Sequence, residues 1–292
     1  MPLFCRHNRL TANCPICSRE LAAERQASAP ARPARVRGSR ASGTQRRSSP
    51  GVVTKRVARA ADDGYRNPLV PGLRATADAE RLAAALAWAD ARLEFPGPHP
   101  AVAEEPVQDE AFWLAFLLAL VPPGAHDLHE AIVASRPSWS SAEAPEIPGA
   151  DPRTIPAYRA WAERAGSQAE AFLGEPAWTP ERRFGRAFER LALPGLNRTS
   201  RYELLLTLGA AGTAELAADA LHIGKVDDPT ILAAKRLLVS GDAMLLERRA
   251  ADLAKGTGIQ LGALDRALAV WGEGEPADGE PTPQVRSALG LL

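Results

Sequence analysis

The residues after Arg74 constrain the fold most, because they are rich in Ala, Leu, Glu and Arg and contain few β-branched runs. Pro and Gly interrupt them at intervals, and apolar residues such as Leu82, Leu86 and Leu93 recur at helical spacing. This combination predicts helices separated by short breaks, with little room for strands. The body of the protein is therefore expected to be all-α.

The breaks divide this body into a series of predicted helices. They cover residues 76–95, 107–121, 126–134, 154–173, 180–191, 199–208, 213–222, 229–239, 242–256 and 261–271. Thr76 is expected to cap the first, Thr179 and Pro180 to start the fifth, and Asp228 and Pro229 to start the eighth. Residues 276–292 are expected to be a loosely held tail.

The longest apolar run predicts a buried helix and no membrane span. It extends from Ala111 to Val121, or 11 residues, whereas a membrane-spanning helix needs about 20. The N-terminus holds Cys5, Arg6 and His7 where a signal peptide would have its apolar stretch. We therefore expect a cytoplasmic protein, associated with the nucleoid if it binds DNA.

Charge is distributed unevenly, although 35 Lys+Arg and 35 Asp+Glu give a net charge of zero. Residues 1–60 hold 13 bases and two acids, a net +11, which leaves 35 − 13 = 22 bases and 35 − 2 = 33 acids, a net −11, in residues 61–292. Residues 19–60 contain too little apolar surface to offset the entropy of ordering them. They are expected to be a disordered basic linker that attracts phosphates without reading sequence, or alternatively a solvated linker that happens to be basic.

All three cysteines lie near the N-terminus, close to a histidine. The ligand set Cys5, His7, Cys14 and Cys17 suits tetrahedral Zn²⁺, and a closed four-ligand site leaves no position for a reactive water. The pattern predicts a structural zinc knuckle over residues 1–18. The alternative is three unrelated thiols.

The segment from Phe188 to Gly224 carries the most functional information. Pro194 and Gly195 stop one amphipathic helix, and Asn197 can adopt the left-handed geometry that the link to the next helix needs. The first N–H groups of that next helix then form an anion site. Nearby basic residues include Arg182, Arg186, Arg198 and Arg201.

This segment resembles the hairpin of the helix-hairpin-helix DNA glycosylases of the endonuclease III type. Leu193-Pro194-Gly195-Leu196-Asn197-Arg198 is similar to that family's hairpin, and Ala217-Ala218-Asp219 follows 24 residues beyond Gly195, where the family has its catalytic aspartate. The resemblance implies a two-lobed helical domain over residues 61–275 with Asp219 as the catalytic carboxylate. It also implies contacts to double-stranded DNA from Leu193, Gly195, Asn197, Arg198, Arg201, Arg182 and Arg186.

The stretch from Ala233 onward also resembles the α-glutamyl/putrescinyl-thymine pyrophosphorylase clades, which are associated with hypermodified thymines of phage DNA. Thr199 stands where bifunctional glycosylases carry a Schiff-base lysine, and Asn197 replaces the second glycine of the hairpin. The resemblance thus implies a monofunctional enzyme that uses water. The cysteines that hold an iron–sulfur cluster in many relatives are missing after residue 271, so neither a cluster nor a small-molecule cofactor is expected.

The expected function is hydrolysis of the N-glycosidic bond of a modified, hypermodified or damaged base, in repair or in defence against phage. Asp219 would stabilise the oxocarbenium-like sugar and orient water, or it is a surface aspartate. Tyr158, Trp161 and Tyr202 would stack on an extruded base, or they are core residues. Two rival functions stay open: a base-hypermodification enzyme and a non-catalytic DNA-binding module.

Overall fold

The computed structural model describes residues 60–122, 125–224 and 228–292, all of which belong to the unit Thr54–Leu292. These residues form helices and loops without a strand, so the all-α prediction is confirmed. The helices are α1 (Thr76–Leu93), α2 (Pro100–Ala103), α3 (Gln108–Ala119), α4 (His126–Ser135), α5 (Thr154–Ala165), α6 (Gln168–Leu173), α7 (Pro180–Arg190), α8 (Arg198–Ala210), α9 (Pro229–Leu238), α10 (Ala243–Thr257), α11 (Leu261–Glu273) and α12 (Pro283–Ala288).

The N-terminal predictions and the membrane prediction have different outcomes. The proposed zinc knuckle of residues 1–18 lies outside the described residues, as does the basic linker up to residue 59. Within the described ranges, no helix combines the length and the apolar character that crossing a membrane requires.

Buried side chains form two hydrophobic clusters. The first is centred on α3, whose nine residues from Ala111 to Ala119 are all buried. A helix that is apolar all round must be enclosed, and α5 to α8 supply most of its surroundings. The second cluster is formed mainly by α1 and α9 to α12, with α11 packed between α1 and α9.

Some helix boundaries differ from the prediction. The expected helix 154–173 divides into α5 and α6 at Gly166, whose φ of 100° cannot continue a helix, and the side chain of Ser167 caps α6. Thr76 does not cap α1, because Ala75 occupies that position and the Thr76 amide donates to Asp63 Oδ2 at 2.8 Å. The short helices α2 and α12 were not predicted.

The C-terminal residues are packed against the body, so the expected loosely held tail is wrong. Val285 and Leu289 are fully buried in the second cluster, and the Tyr65 hydroxyl donates to the Leu289 carbonyl. A Cβ at Gly279 would lie 2.1 Å from the Trp88 amide nitrogen, so this segment approaches α1 as closely as a glycine allows. Val285 and Leu289 are four residues apart, but the polar, Pro- and Gly-rich composition around them hides this apolar pair in the sequence.

Candidate functional site

The turn between α7 and α8 is made by Gly195, with a φ of +74°. Asn197 has extended backbone angles, φ −72° and ψ 177°, and its side chain accepts a hydrogen bond from the Ser200 amide at 2.9 Å. The expected left-handed conformation of Asn197 is therefore wrong. Asn197 is the N-cap of α8, a position that asparagine favours.

The hairpin loop packs against the start of α5. A Cβ at Gly195 would lie 2.1 Å from Thr154 Oγ1, and that hydroxyl donates to the Pro194 carbonyl at 2.8 Å. Asp151 also borders Gly195, and a side-chain hydrogen bond from Arg153 lowers the pKa of Asp151 to about 2. The loop therefore has the Asp151–Arg153 ion pair beside it, which the sequence did not indicate.

Arg198 is buried and internally bonded, so its expected contact with DNA is wrong. Its Nη1 lies 2.9 Å from Asp228 Oδ2, and Nη2 contacts Asp265. Its Nε donates to the Leu221 carbonyl at 2.9 Å. Burial raises the pKa of Asp265 to about 6, against the opposing effect of Arg198. A buried guanidinium that bonds to two carboxylates and a backbone carbonyl has a structural role, because it holds these groups together.

The other predicted DNA-binding residues lie nearer the surface. Arg182 is exposed above the Trp178 ring at 5.1 Å, and Arg186 is exposed and paired with Glu189 at 3.1 Å. Arg201 lies partly buried over the Phe188 ring at 4.2 Å. Leu193 is partly buried against the first hydrophobic cluster.

Residues 214–224, which we call the Asp219 loop, are not helical, so the predicted helix 213–222 is wrong. The backbone of this loop bonds to other elements instead of to itself. The Ala217 amide donates to the Pro180 carbonyl, and the Tyr202 hydroxyl donates to the Ala220 carbonyl at 2.8 Å. The carboxylate of Glu247 accepts from the amides of Leu221 at 2.8 Å and Ile223 at 2.7 Å. These bonds replace the helical ones.

Asp219 lies against α7 at the position of Gly185. A Cβ at Gly185 would lie 2.5 Å from Asp219 Oδ2, so the missing side chain makes room for the carboxylate. The Asp219 side chain is 35% exposed, and its Oδ1 lies 2.7 Å from His222 Nε2. One carboxylate oxygen thus contacts His222 and the other lies beside α7, while the side chain as a whole stays partly open to solvent.

His222 completes this arrangement, and sequence reasoning missed it. Its φ is +52°, and its ring stacks on Phe188 with centroids 4.1 Å apart. The pair Asp219 and His222 has helical spacing, but the loop is not a helix, so no periodic signal identifies the contact. Only the fold brings the two side chains together.

Asp228 is a second carboxylate near the hairpin. Its Oδ1 accepts from the Ile231 amide at 2.8 Å, which confirms the predicted N-cap of α9, and its Oδ2 bonds to Arg198. Thr199 Oγ1 lies 3.5 Å from Oδ2 as well. Both oxygens of Asp228 are thus engaged, in contrast to those of Asp219.

The predicted base-stacking aromatics are core residues, so that interpretation is wrong and the core alternative is confirmed. Tyr158 is fully buried, donates to Gln168 Oε1 at 2.8 Å and stacks on Phe116. Trp161 and Tyr202 are 7% and 1% exposed. Aromatic residues among Ala and Leu on helices are those that a helical core buries.

Metal ligands are not assembled within the described ranges, where no group of three or more His, Cys, Asp or Glu side chains is placed to hold an ion. The predicted zinc ligands Cys5, His7, Cys14 and Cys17 lie outside those ranges. The zinc site therefore stays a prediction.

Comparison of the chain with protein-family models, curated proteins and solved structures gave no match.

Proposed function

We propose that this protein binds double-stranded DNA and hydrolyses the N-glycosidic bond of a modified, hypermodified or damaged base without lyase activity. One observation carries the proposal: the Asp219 carboxylate is open to solvent, yet its loop is tied to the second hairpin helix. Arg198 and Tyr202 of α8 hold the Leu221 and Ala220 carbonyls. A ligand on the hairpin would thus lie at a fixed distance from the carboxylate.

The fold supports this proposal in a general way. The two hydrophobic clusters suit a two-lobed helix-hairpin-helix domain, in which a base is received between helical layers. Exposed Arg182 and Arg186 lie on α7, the helix whose Gly185 borders Asp219, and provide positive charge for phosphates. The basic segment 1–60 and its zinc knuckle would add sequence-independent capture, since the body carries a net charge of −11 and repels DNA elsewhere. We place the protein in the cytoplasm, on the nucleoid.

In the proposed reaction, the nucleotide swings out of the duplex before its sugar reaches Asp219. The bond between C1′ and the base nitrogen breaks, and the base leaves with the electron pair. Ionised Asp219 stabilises the positive charge on the sugar. Water then adds to C1′ and gives its proton to Asp219, while solvent protonates the departing base. Thr199 has no amine with which to form a Schiff base, so the sugar–phosphate chain stays intact.

The test is mass spectrometry of bases released from a panel of modified phage DNAs. The wild-type protein should release a free base and leave an abasic site, and Asp219→Asn should abolish release while retaining DNA binding. Asp252→Asn is the matched control, because Asp252 is exposed on α10. It should behave as the wild type.

The rival functions predict different results in the same assay. A base-hypermodification enzyme would leave a new base adduct instead of a free base. A non-catalytic binding module would bind DNA with no chemical change, and Asp219→Asn would then have no effect. If the wild-type protein releases no base from any DNA of the panel, the proposal fails.

A further inference from the structure

Resting on the proposed function, we infer that His222 is a positioning residue that holds Asp219 in its reactive orientation. The inference concerns the contact between His222 Nε2 and Asp219 Oδ1, which lie 2.7 Å apart. An ionised carboxylate only accepts hydrogen bonds, so Nε2 carries the hydrogen and donates it. This bond selects one Asp219 rotamer, in which Oδ2 lies on the side of Gly185.

The imidazole itself is held in place by aromatic residues of the hairpin helices. Its ring lies nearly parallel to Phe188, at 15° and 4.1 Å between centroids, and 5.9 Å from Phe184. Tyr202 approaches it edge-on at 6.3 Å. Because these three side chains belong to the first hydrophobic cluster, the packing of α7 against α8 fixes the orientation of the imidazole ring.

The backbone of His222 is held as firmly as its ring. A φ of +52° is uncommon for a residue other than glycine and persists where the surroundings impose it. Glu247 accepts from the amides on both sides, those of Leu221 and Ile223, and Arg198 donates to the His222 carbonyl at 3.3 Å. A residue constrained in this way can transmit the position of the hairpin to Asp219.

Two substitutions separate the hydrogen bond from the ring packing. His222→Gln places an amide nitrogen close to the position of Nε2, so it keeps the donor and loses the aromatic ring. His222→Phe keeps a stacking ring and loses the donor. A positioning role predicts that His222→Gln retains most of the base-release rate. It predicts that His222→Phe lowers kcat by about 100-fold, the effect of misplacing a reacting group by about 1 Å, with KM changed little.

If His222→Phe released base and His222→Gln did not, the ring would only fill space, and the inference would be overturned. Equal activity of both variants and the wild type would overturn it too. His126→Phe is the matched control, since His126 is exposed at the start of α4, and it should be as active as the wild type. Circular dichroism at the assay temperature verifies that each variant is folded.

A second measurement does not depend on activity. Proton–nitrogen NMR of the imidazole side chains should show a slowly exchanging Nε2–H resonance of His222 in the wild type, and Asp219→Ala should remove that protection. If the resonance is protected but no DNA of the panel loses a base, the proposed function fails and the positioning contact stands. If base is released but the resonance exchanges freely in the wild type, the inference fails and the proposed function stands.

Discussion

The Asp219 loop has an anchored side and an open side. On the anchored side, Arg198 and Glu247 bind its backbone, and Arg198 is in turn held by Asp228 and Asp265. On the open side, Asp219 reaches solvent and has one hydrogen-bonding partner among the described residues, His222. Charged side chains occur on both sides, but they act differently. Buried Arg198 and partly buried Glu247 fix the loop, and the exposed carboxylate is left available for chemistry.

The largest effect is expected from removing the central residue of the anchored side. Arg198→Met leaves Asp228 and Asp265 without their shared cation in a buried environment. Breaking a buried ion pair by removing one partner costs about 3–5 kcal/mol. Urea denaturation should therefore show a loss of that size in the free energy of unfolding.

Arg186→Met is the matched control for this variant. Arg186 and Glu189 are both more than half exposed, and a surface pair of this kind contributes about 1 kcal/mol or less. Its stability should stay close to that of the wild type. If Arg198→Met were as stable as Arg186→Met, the anchored side would not hold the loop, and Arg198 would again be a candidate for binding phosphate.

A smaller loss of stability is expected when the backbone of the Asp219 loop loses the carboxylate that accepts its hydrogen bonds. Glu247→Ala leaves the amides of Leu221 and Ile223 without their acceptor. Hydrogen bonds to a charged group contribute about 1.5–3 kcal/mol each, and water reaching the loop will replace part of this. We expect a destabilisation of about 2–3 kcal/mol in urea denaturation, against little change for Glu189→Ala on the exposed face of α7. An unchanged midpoint for Glu247→Ala would mean that Arg198 and Tyr202 fix the loop without Glu247.

The anchored side also shows how far the sequence could predict this structure. Helix starts with local signals were predicted correctly: Thr179 caps α7 by accepting from the Arg182 amide, and Asp228 caps α9. The stretch around Ala217 has the composition of a helix but forms none, because Tyr202, Glu247 and Arg198 bind its backbone groups. Those partners are 18 to 26 residues away, beyond the range of any periodic pattern.

The candidate site was predictable only in part for the same reason. Asp219 was selected by its distance from Gly195, but nothing in the sequence indicates its contact with His222. Arg198 looked like a phosphate ligand because sequence shows charge and does not show burial. Gly195 was correctly placed in the turn, and its φ of +74° left Asn197 free to cap α8.

The smallest change in stability and the sharpest test of the open side come from Gly185. In the interior of an exposed helix, Gly→Ala stabilises by about 0.5–1 kcal/mol. At this position the new Cβ would lie 2.5 Å from Asp219 Oδ2, and the carboxylate must turn away. Gly185→Ala should therefore change the free energy of unfolding by less than about 1 kcal/mol while lowering kcat for base release.

In an Asp219→Ala background the same substitution meets no carboxylate and should give the full helix stabilisation. The difference between the two backgrounds, measured by urea denaturation, is the coupling between Gly185 and Asp219. A zero difference, together with unchanged activity of Gly185→Ala, would mean that Asp219 does not depend on the space beside α7.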